Sequence, residues 1–173
     1  MNVLDYIRTV PDFPKKGIMF KDITSLLEDG PVFAELMKHI ATQYSGRGLT
    51  HIAGIESRGF IFGAALAQML GAGFVPIRKL GKLPGKTLKR SYALEYGEAT
   101  LEIHADAFTP NARVLIVDDV LATGGTLEAA VGLVNDAGAR VDSVWVLLEL
   151  GFLSGRAKLP SVKIRSEAVV DSE

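Results

Sequence analysis

Val114-Leu115-Ile116-Val117-Asp118-Asp119-Val120-Leu121-Ala122-Thr123-Gly124-Gly125-Thr126 decides the reading of this chain. Four consecutive apolar residues, three of them β-branched, fit a strand buried on both faces. The strand is expected to end in two adjacent carboxylates. A short loop of small and hydroxylated residues follows, and Leu127, Ala130, Val131 and Val134 then recur at helical spacing as far as Gly138. A helix N-terminus offers unpaired N–H groups and partial positive charge, which suit a phosphate. Gly124 and Gly125 let the backbone come close to a ligand, and Thr123 and Thr126 add hydroxyls. Asp118 and Asp119 can accept hydrogen bonds from the vicinal hydroxyls of a sugar. One bend can therefore hold a phosphate at one end and a sugar diol at the other. An ordinary strand–turn–helix joint capped by Thr126 would explain the glycines and threonines. It would not explain two carboxylates closing a buried strand, where charge is costly unless something binds it.

The flanking sequence repeats the strand–helix alternation. A helix begins after Gly30-Pro31, with Phe33, Leu36, Met37, Ile40 and Tyr44 on one face. Residues 49–55, 73–77 and 141–148 read as strands, and residues 60–70 as a helix stopped by Gly71. This order predicts an α/β fold with a mainly parallel central sheet flanked by helices. Ligands of such sheets sit beyond the C-terminal strand ends. Three loops qualify: residues 56–59, 78–89 and 118–126. Residues 91–96 and 100–104 alternate around Gly97-Glu98 and predict a projecting β-hairpin.

Two of these loops carry cations. Arg58 opens a helix, the end of the dipole where a cation is disfavoured, so it points to an anionic ligand rather than to a surface role. Arg78, Lys79, Lys82, Lys86, Lys89 and Arg90 fall within thirteen residues, with Gly81, Pro84 and Gly85 among them. They read as a lid that closes on phosphate oxygens, against the alternative of a solvated basic loop.

Composition narrows the classes. A length of 173 residues favours a single domain with one sizeable core. The net charge of -1 provides no field toward nucleic acid or anionic lipid. There is no cysteine, which removes disulfides, thiolate metal sites and cysteine nucleophiles. His39, His51 and His104 lie far apart, against a zinc site. The N-terminal residues include Asp5 and Arg8 and lack a signal-peptide core. No apolar run approaches the roughly 20 residues that cross a bilayer. A cytoplasmic location is expected, with neither a membrane nor a nucleic acid as partner.

The stretch from Val114 to Thr126 resembles the phosphoribosyl pyrophosphate (PRPP) signature of the type I phosphoribosyltransferases. Further segments are similar to the adenine-specific branch of that family: Pro11-Asp12-Phe13-Pro14 with Gly17-Ile18-Met19-Phe20-Lys21-Asp22-Ile23, Glu56-Ser57-Arg58-Gly59-Phe60, Ile77-Arg78-Lys79 with Gly81-Lys82-Leu83-Pro84-Gly85, and residues 92–97 with Leu101-Glu102-Ile103. They occur in the family's order and cover the chain to about Leu150.

The resemblance implies a type I phosphoribosyltransferase fold over residues 1–173, with a small hood at 1–30 and a lid and hairpin at 78–104. It implies transfer of 5-phosphoribosyl from PRPP to adenine, giving AMP and pyrophosphate, with Mg2+ and as a homodimer. By the same resemblance Asp118, Asp119, Ala122, Thr123, Gly124, Gly125 and Thr126 take the phosphate and ribose. Glu56, Ser57, Arg58, Lys79 and Lys82 take the pyrophosphate. Met19, Phe20, Lys21 and Leu150 take adenine, with Phe20 against one face of the base and the backbone of Met19 and Lys21 reading its edge. Glu95, Arg58, Asp118 and Asp119 are the catalytic set. Glu95 either accepts a proton from the base or stabilises the oxocarbenium. Magnesium is expected through substrate and water, with no direct protein ligand. The family's Glu–Ser position often holds a cis peptide, here Glu56-Ser57. It frequently has arginine where this chain has Lys21, and residues after Gly151 match it less well.

Other readings are thinner. Gly81-Lys82-Leu83-Pro84-Gly85-Lys86-Thr87 approaches a P-loop but is one residue short between its glycines. Ile55-Glu56-Ser57-Arg58-Gly59 approaches a nucleophile elbow with Ile55 in place of the first glycine. The remaining alternatives are a transferase for another purine base and a PRPP- or purine-binding regulator without catalysis.

Overall fold

Val114, Leu115, Ile116 and Val117 are all fully buried, and they alternate between two cores. Val114 and Ile116 belong to one apolar cluster, and Leu115 and Val117 to the other. Val144 and Val146 repeat the alternation against Trp145 and Leu147 in the next strand. The side-chain period of two thus divides one sheet into two packed faces, which is why residues 114–117 and 144–147 are apolar without a break.

The computed structural model describes residues 1–94 and 97–172. In chain order, a 3-10 turn (Val3–Tyr6) is followed by β1 (Arg8–Val10), β2 (Phe20–Asp22), α1 (Thr24–Glu28), α2 (Gly30–Tyr44), β3 (His51–Ile55), α3 (Gly59–Leu70), β4 (Gly73–Lys79), β5 (Thr87–Ala93), β6 (Glu98–His104), β7 (Arg113–Leu121), α4 (Gly125–Asp136) and β8 (Arg140–Leu150). Two 3-10 turns (Gly151–Leu153 and Gly155–Lys158) lead to β9 (Ile164–Val170). The main sheet has the order β5-β6-β4-β3-β7-β8-β9. β4, β3, β7, β8 and β9 are parallel, and the β5–β6 hairpin joins the β4 edge antiparallel. β1 and β2 form a separate antiparallel pair.

The helix signals act as their chemistry dictates. Asp29 Oδ1 accepts the N–H of Val32 and Pro31 sits in the first turn, so α2 starts at Gly30. Gly71 at φ 64° stops α3. α3 lies close on β7 because Gly59 has no side chain: a Cβ there would come within 2.7 Å of the Val117 carbonyl oxygen.

The structure moves three boundaries. β7 does not end at Val117. Its pairing with β8 continues through Asp118–Val146, Val120–Leu148 and Leu121–Glu149, so the acid pair lies inside the strand. β4 runs on to Lys79 and β5 starts at Thr87, which shortens the lid loop to residues 80–86. Arg90 is not on the lid: its guanidinium lies over Gly132 of α4 and pairs with Asp136. β9, which the sequence pattern did not suggest, closes the far edge of the sheet. The N-terminal segment is anchored by Val3, Ile23 and Leu26 in the core, while residues 11–19 between them are exposed.

Candidate active site

The acid pair is the electrostatic centre. Asp118 and Asp119 are both buried, at 7% and 6% exposure. The N–H of Asp119 donates to Asp118 Oδ1 at 2.9 Å. Asp119 is paired with Arg58, whose Nε lies 2.9 Å from Oδ2. Burial, and then the neighbouring charge of Asp119, push the Asp118 carboxyl well above the usual carboxylate range. The bond to Asp119 engages Nε of Arg58, and the terminal nitrogens carry four further N–H donors. The pair can therefore accept two hydroxyls while the same arginine turns toward an anion.

After the acids, Leu121 ends β7, Thr123 is exposed, and Gly124 is the N-cap of α4 at φ 85°. The cap is Gly124 rather than Thr126, because only glycine takes that φ without strain. The loop thus runs directly into the first turn of α4. Gly155, in the second C-terminal 3-10 turn, packs directly against the backbone of Ala122 and Gly124.

The hood arrives from the other side. Ile18, Met19, Phe20 and Lys21 line one cavity of ≈ 160 Å³ together with Arg58, Asp119, Val120, Ala122, Leu148 and Leu150. Arg58 lies 5.7 Å from the Phe20 ring centroid, and Phe13 packs edge-on against Phe20 at 5.0 Å. Phe20 is half-buried and belongs to neither core. A second cavity of ≈ 330 Å³ shares Ile18, Met19, Lys21 and Leu150 and adds Phe152, Leu153 and Val170.

The Glu56-Ser57 peptide is cis, as the resemblance implies. Ser57 is exposed at the head of α3. The Glu56 carboxylate faces the lid: it accepts Nε of Arg78 at 3.2 Å and the N–H of Lys79 at 3.0 Å. Burial works to raise its pKa, but the Lys79 amide and Arg78 outweigh it and hold the group below the usual range. Lys79 and Lys82 stand on the lid edge, and Thr123 to Thr126 at the head of α4, outside the ≈ 160 Å³ cavity. Glu95 lies outside the described residues.

Three features escaped the sequence. Glu102 is buried beneath the lid loop. Arg156 bonds Glu149 through Nε and Nη2, both at 2.6 Å, and fixes the C-terminal turn. Phe152 and Leu153 wall the second cavity. Glu102 and Glu149 each left a signal, as a lone acid between two apolar residues of a strand.

Fold and site together define a phosphoribosyltransferase, and a family model described as the phosphoribosyl transferase domain matches residues 24–157. The relatives narrow the branch. An adenine phosphoribosyltransferase of Thermobifida fusca is 55% identical over 165 residues, covering 95% of this chain and 94% of that protein. The crystal structure of adenine phosphoribosyltransferase from Thermoanaerobacter pseudethanolicus superposes with a TM-score of 0.93 at 52% identity, covering 97% and 98% of the two chains. The Saccharomyces cerevisiae enzyme, complexed with an imino-altritol bisphosphate and adenine, gives 0.89 at 38% identity, covering 95% and 96%. The chain belongs to the adenine phosphoribosyltransferase family.

Proposed function

We propose that this chain transfers 5-phosphoribosyl from PRPP to adenine, giving AMP and pyrophosphate. One observation carries the reading: hood residues Met19, Phe20 and Lys21 share a single cavity with Arg58, Asp119, Ala122 and Leu150, which come from three other parts of the chain. A flat base, a sugar diol and an anion find matching surfaces within one small volume.

In this reading Phe20 stacks on adenine, the backbone of Met19 and Lys21 reads its edge, and Leu150 closes the far wall. Asp118 and Asp119 accept the ribose hydroxyls, which relieves their mutual repulsion by giving each a donor. Residues 122–126 hold the 5-phosphate on the amides at the head of α4. Arg58, Ser57, Lys79 and Lys82 meet the leaving pyrophosphate, with Glu56 acting through the backbone of Lys79. Attack by the base nitrogen on C1′ forms the N–C bond as the C–O bond to pyrophosphate breaks. The developing charges call for cations at the leaving group and an acid near the ring. Glu95 is assigned that second place, either as acceptor of the proton that the base nitrogen gives up or as stabiliser of the oxocarbenium.

Magnesium fits this site as a substrate-borne ion. It prefers oxygen ligands and keeps several waters, and no trio of acids or histidines is grouped for a metal among the described residues. When bound it would neutralise pyrophosphate oxygens. A homodimer is part of the proposal: α3 has no charged residue from Gly59 to Leu70 and leaves Ile61 and Met69 exposed, at 42% and 44%. A cytoplasmic location is also part of it, since a polyanionic substrate does not cross a bilayer unaided.

The test is purified protein with PRPP, magnesium and each base separately, reading nucleotide formed. AMP from adenine is expected. Product from hypoxanthine, guanine or uracil alone overturns the base assignment, and binding of PRPP without any product favours a regulator.

A further inference from the structure

Glu102 is 2% exposed on β6, between the core residues Leu101 and Ile103. A carboxylate buried there destabilises the fold unless its oxygens are satisfied. Its Oε1 accepts the N–H of Lys82 at 2.9 Å and of Leu83 at 2.8 Å, and its Oε2 accepts the hydroxyl of Thr87 at 3.3 Å. All three donors belong to the lid loop or its exit into β5. Burial alone would raise this carboxyl, but the amides of Leu83 and Lys82 and the Thr87 hydroxyl outweigh it. The group therefore stays ionised at neutral pH.

The other side of the turn is held as well. Arg78, fixed by Glu56, donates from Nη1 to the Lys82 carbonyl at 3.1 Å. Lys82 thus has its amide bonded by one side chain and its carbonyl by another. Residues 84–86 beyond it are exposed. The front half of the lid is anchored to the sheet, while the lysine side chain itself reaches into solvent.

We propose that Glu102 is a positioning residue of the lid, fixing the backbone of Lys82 and Leu83 so that the Lys82 ammonium meets pyrophosphate from a prearranged place. This rests on the reading of Lys82 as a pyrophosphate ligand. Prearrangement lowers the ordering cost of closing the site. Glu102 touches no substrate in this scheme and acts only through the lid.

Glu102→Leu, Glu102→Gln and Lys82→Ala test it by steady-state kinetics. Glu102→Leu keeps the packing volume and removes both acceptors. It should raise KM for PRPP and the inhibition constant for pyrophosphate about tenfold, equal to one charge-assisted hydrogen bond. KM for adenine should stay within about twofold. Glu102→Gln should restore most of the loss, since its Oε1 can accept both amides and its NH₂ can face Thr87. A purely structural role would move both KM values together, and that result overturns the proposal. Lys82→Ala impaired with Glu102→Leu unchanged also overturns it, leaving the pyrophosphate reading intact. Lys82→Ala unchanged overturns that reading and the inference with it. The wild-type protein gives an arm that needs no variant. The Lys82 and Leu83 amides should be protected from hydrogen exchange in the free enzyme, and rapid exchange at both overturns the proposal.

Discussion

Gly155→Ala should damage PRPP handling from outside the substrate site. Gly155 is buried. A methyl group there would overlap the Ala122 carbonyl oxygen, and would lie 2.8 Å from Leu121 Cδ1 and 3.0 Å from the Gly124 nitrogen. Two of these neighbours are backbone, so no rotamer change relieves them. The turn carrying Gly155 is held by Arg156, which is bonded to Glu149 and donates to the Ile164 carbonyl at 2.9 Å. The loop at residues 122–124 is the side that must yield. Restoring an ordinary C···O separation of about 3.3 Å requires a retreat of roughly 1 Å. A misplacement of that size at a positioning group costs about 100-fold in rate. Overpacking costs about 1–3 kcal/mol, and a chain of this length loses about 2–4 °C in Tm for each kcal/mol. The variant should therefore be folded at 25 °C, melt several degrees early, and lose about 100-fold in kcat/KM for PRPP. Initial rates with PRPP varied, alongside a thermal melt, measure both. A lowered Tm with kcat/KM for PRPP within about threefold of wild type would refute the link between this loop and the phosphate.

Phe20→Ala should raise KM for adenine about tenfold, since aromatic stacking on a base contributes about 1–3 kcal/mol, while KM for PRPP stays near wild type; equal rises in both would remove Phe20 from the base site. Asp118→Asn tests the buried acid pair through pH. The raised pKa of Asp118 means the folded, substrate-free protein holds this proton more tightly than the unfolded chain does. Stability from this group is therefore full below about pH 4, the unfolded value, and is lost as pH rises through the native pKa. The Tm of Asp118→Asn should exceed that of wild type by a margin that grows from pH 4 upward and then levels. A margin independent of pH contradicts the burial argument. Arg156→Ala leaves the buried Glu149 carboxylate with Ser166, which bonds it at 2.9 Å. It should cost about 2 kcal/mol in urea unfolding, below the range for a fully buried pair because the guanidinium is 45% exposed. A change under about 0.5 kcal/mol means the pair contributes no more than an exposed one.

What the sequence determined by itself was local. The run Val114 to Val117 announced a strand buried on both faces, Gly30-Pro31 and Gly71 marked helix ends, and the acids and glycines from Asp118 to Thr126 marked the candidate site. Each of these is written in neighbouring residues, because burial period, capping and φ preference are properties of a few consecutive positions. What only the tertiary structure decided is which distant groups meet. β7 runs through its acids because β8 pairs with it to Leu121. Arg90 leaves the lid for Asp136, 46 residues away. Glu102 bonds lid amides 19 and 20 residues before it, and Gly155 meets Ala122 beyond the C-terminal ends of β7 and β8. Hydrogen bonds and packing depend on distance in space, and the topology that sets those distances is a sum over the whole chain that no local pattern contains.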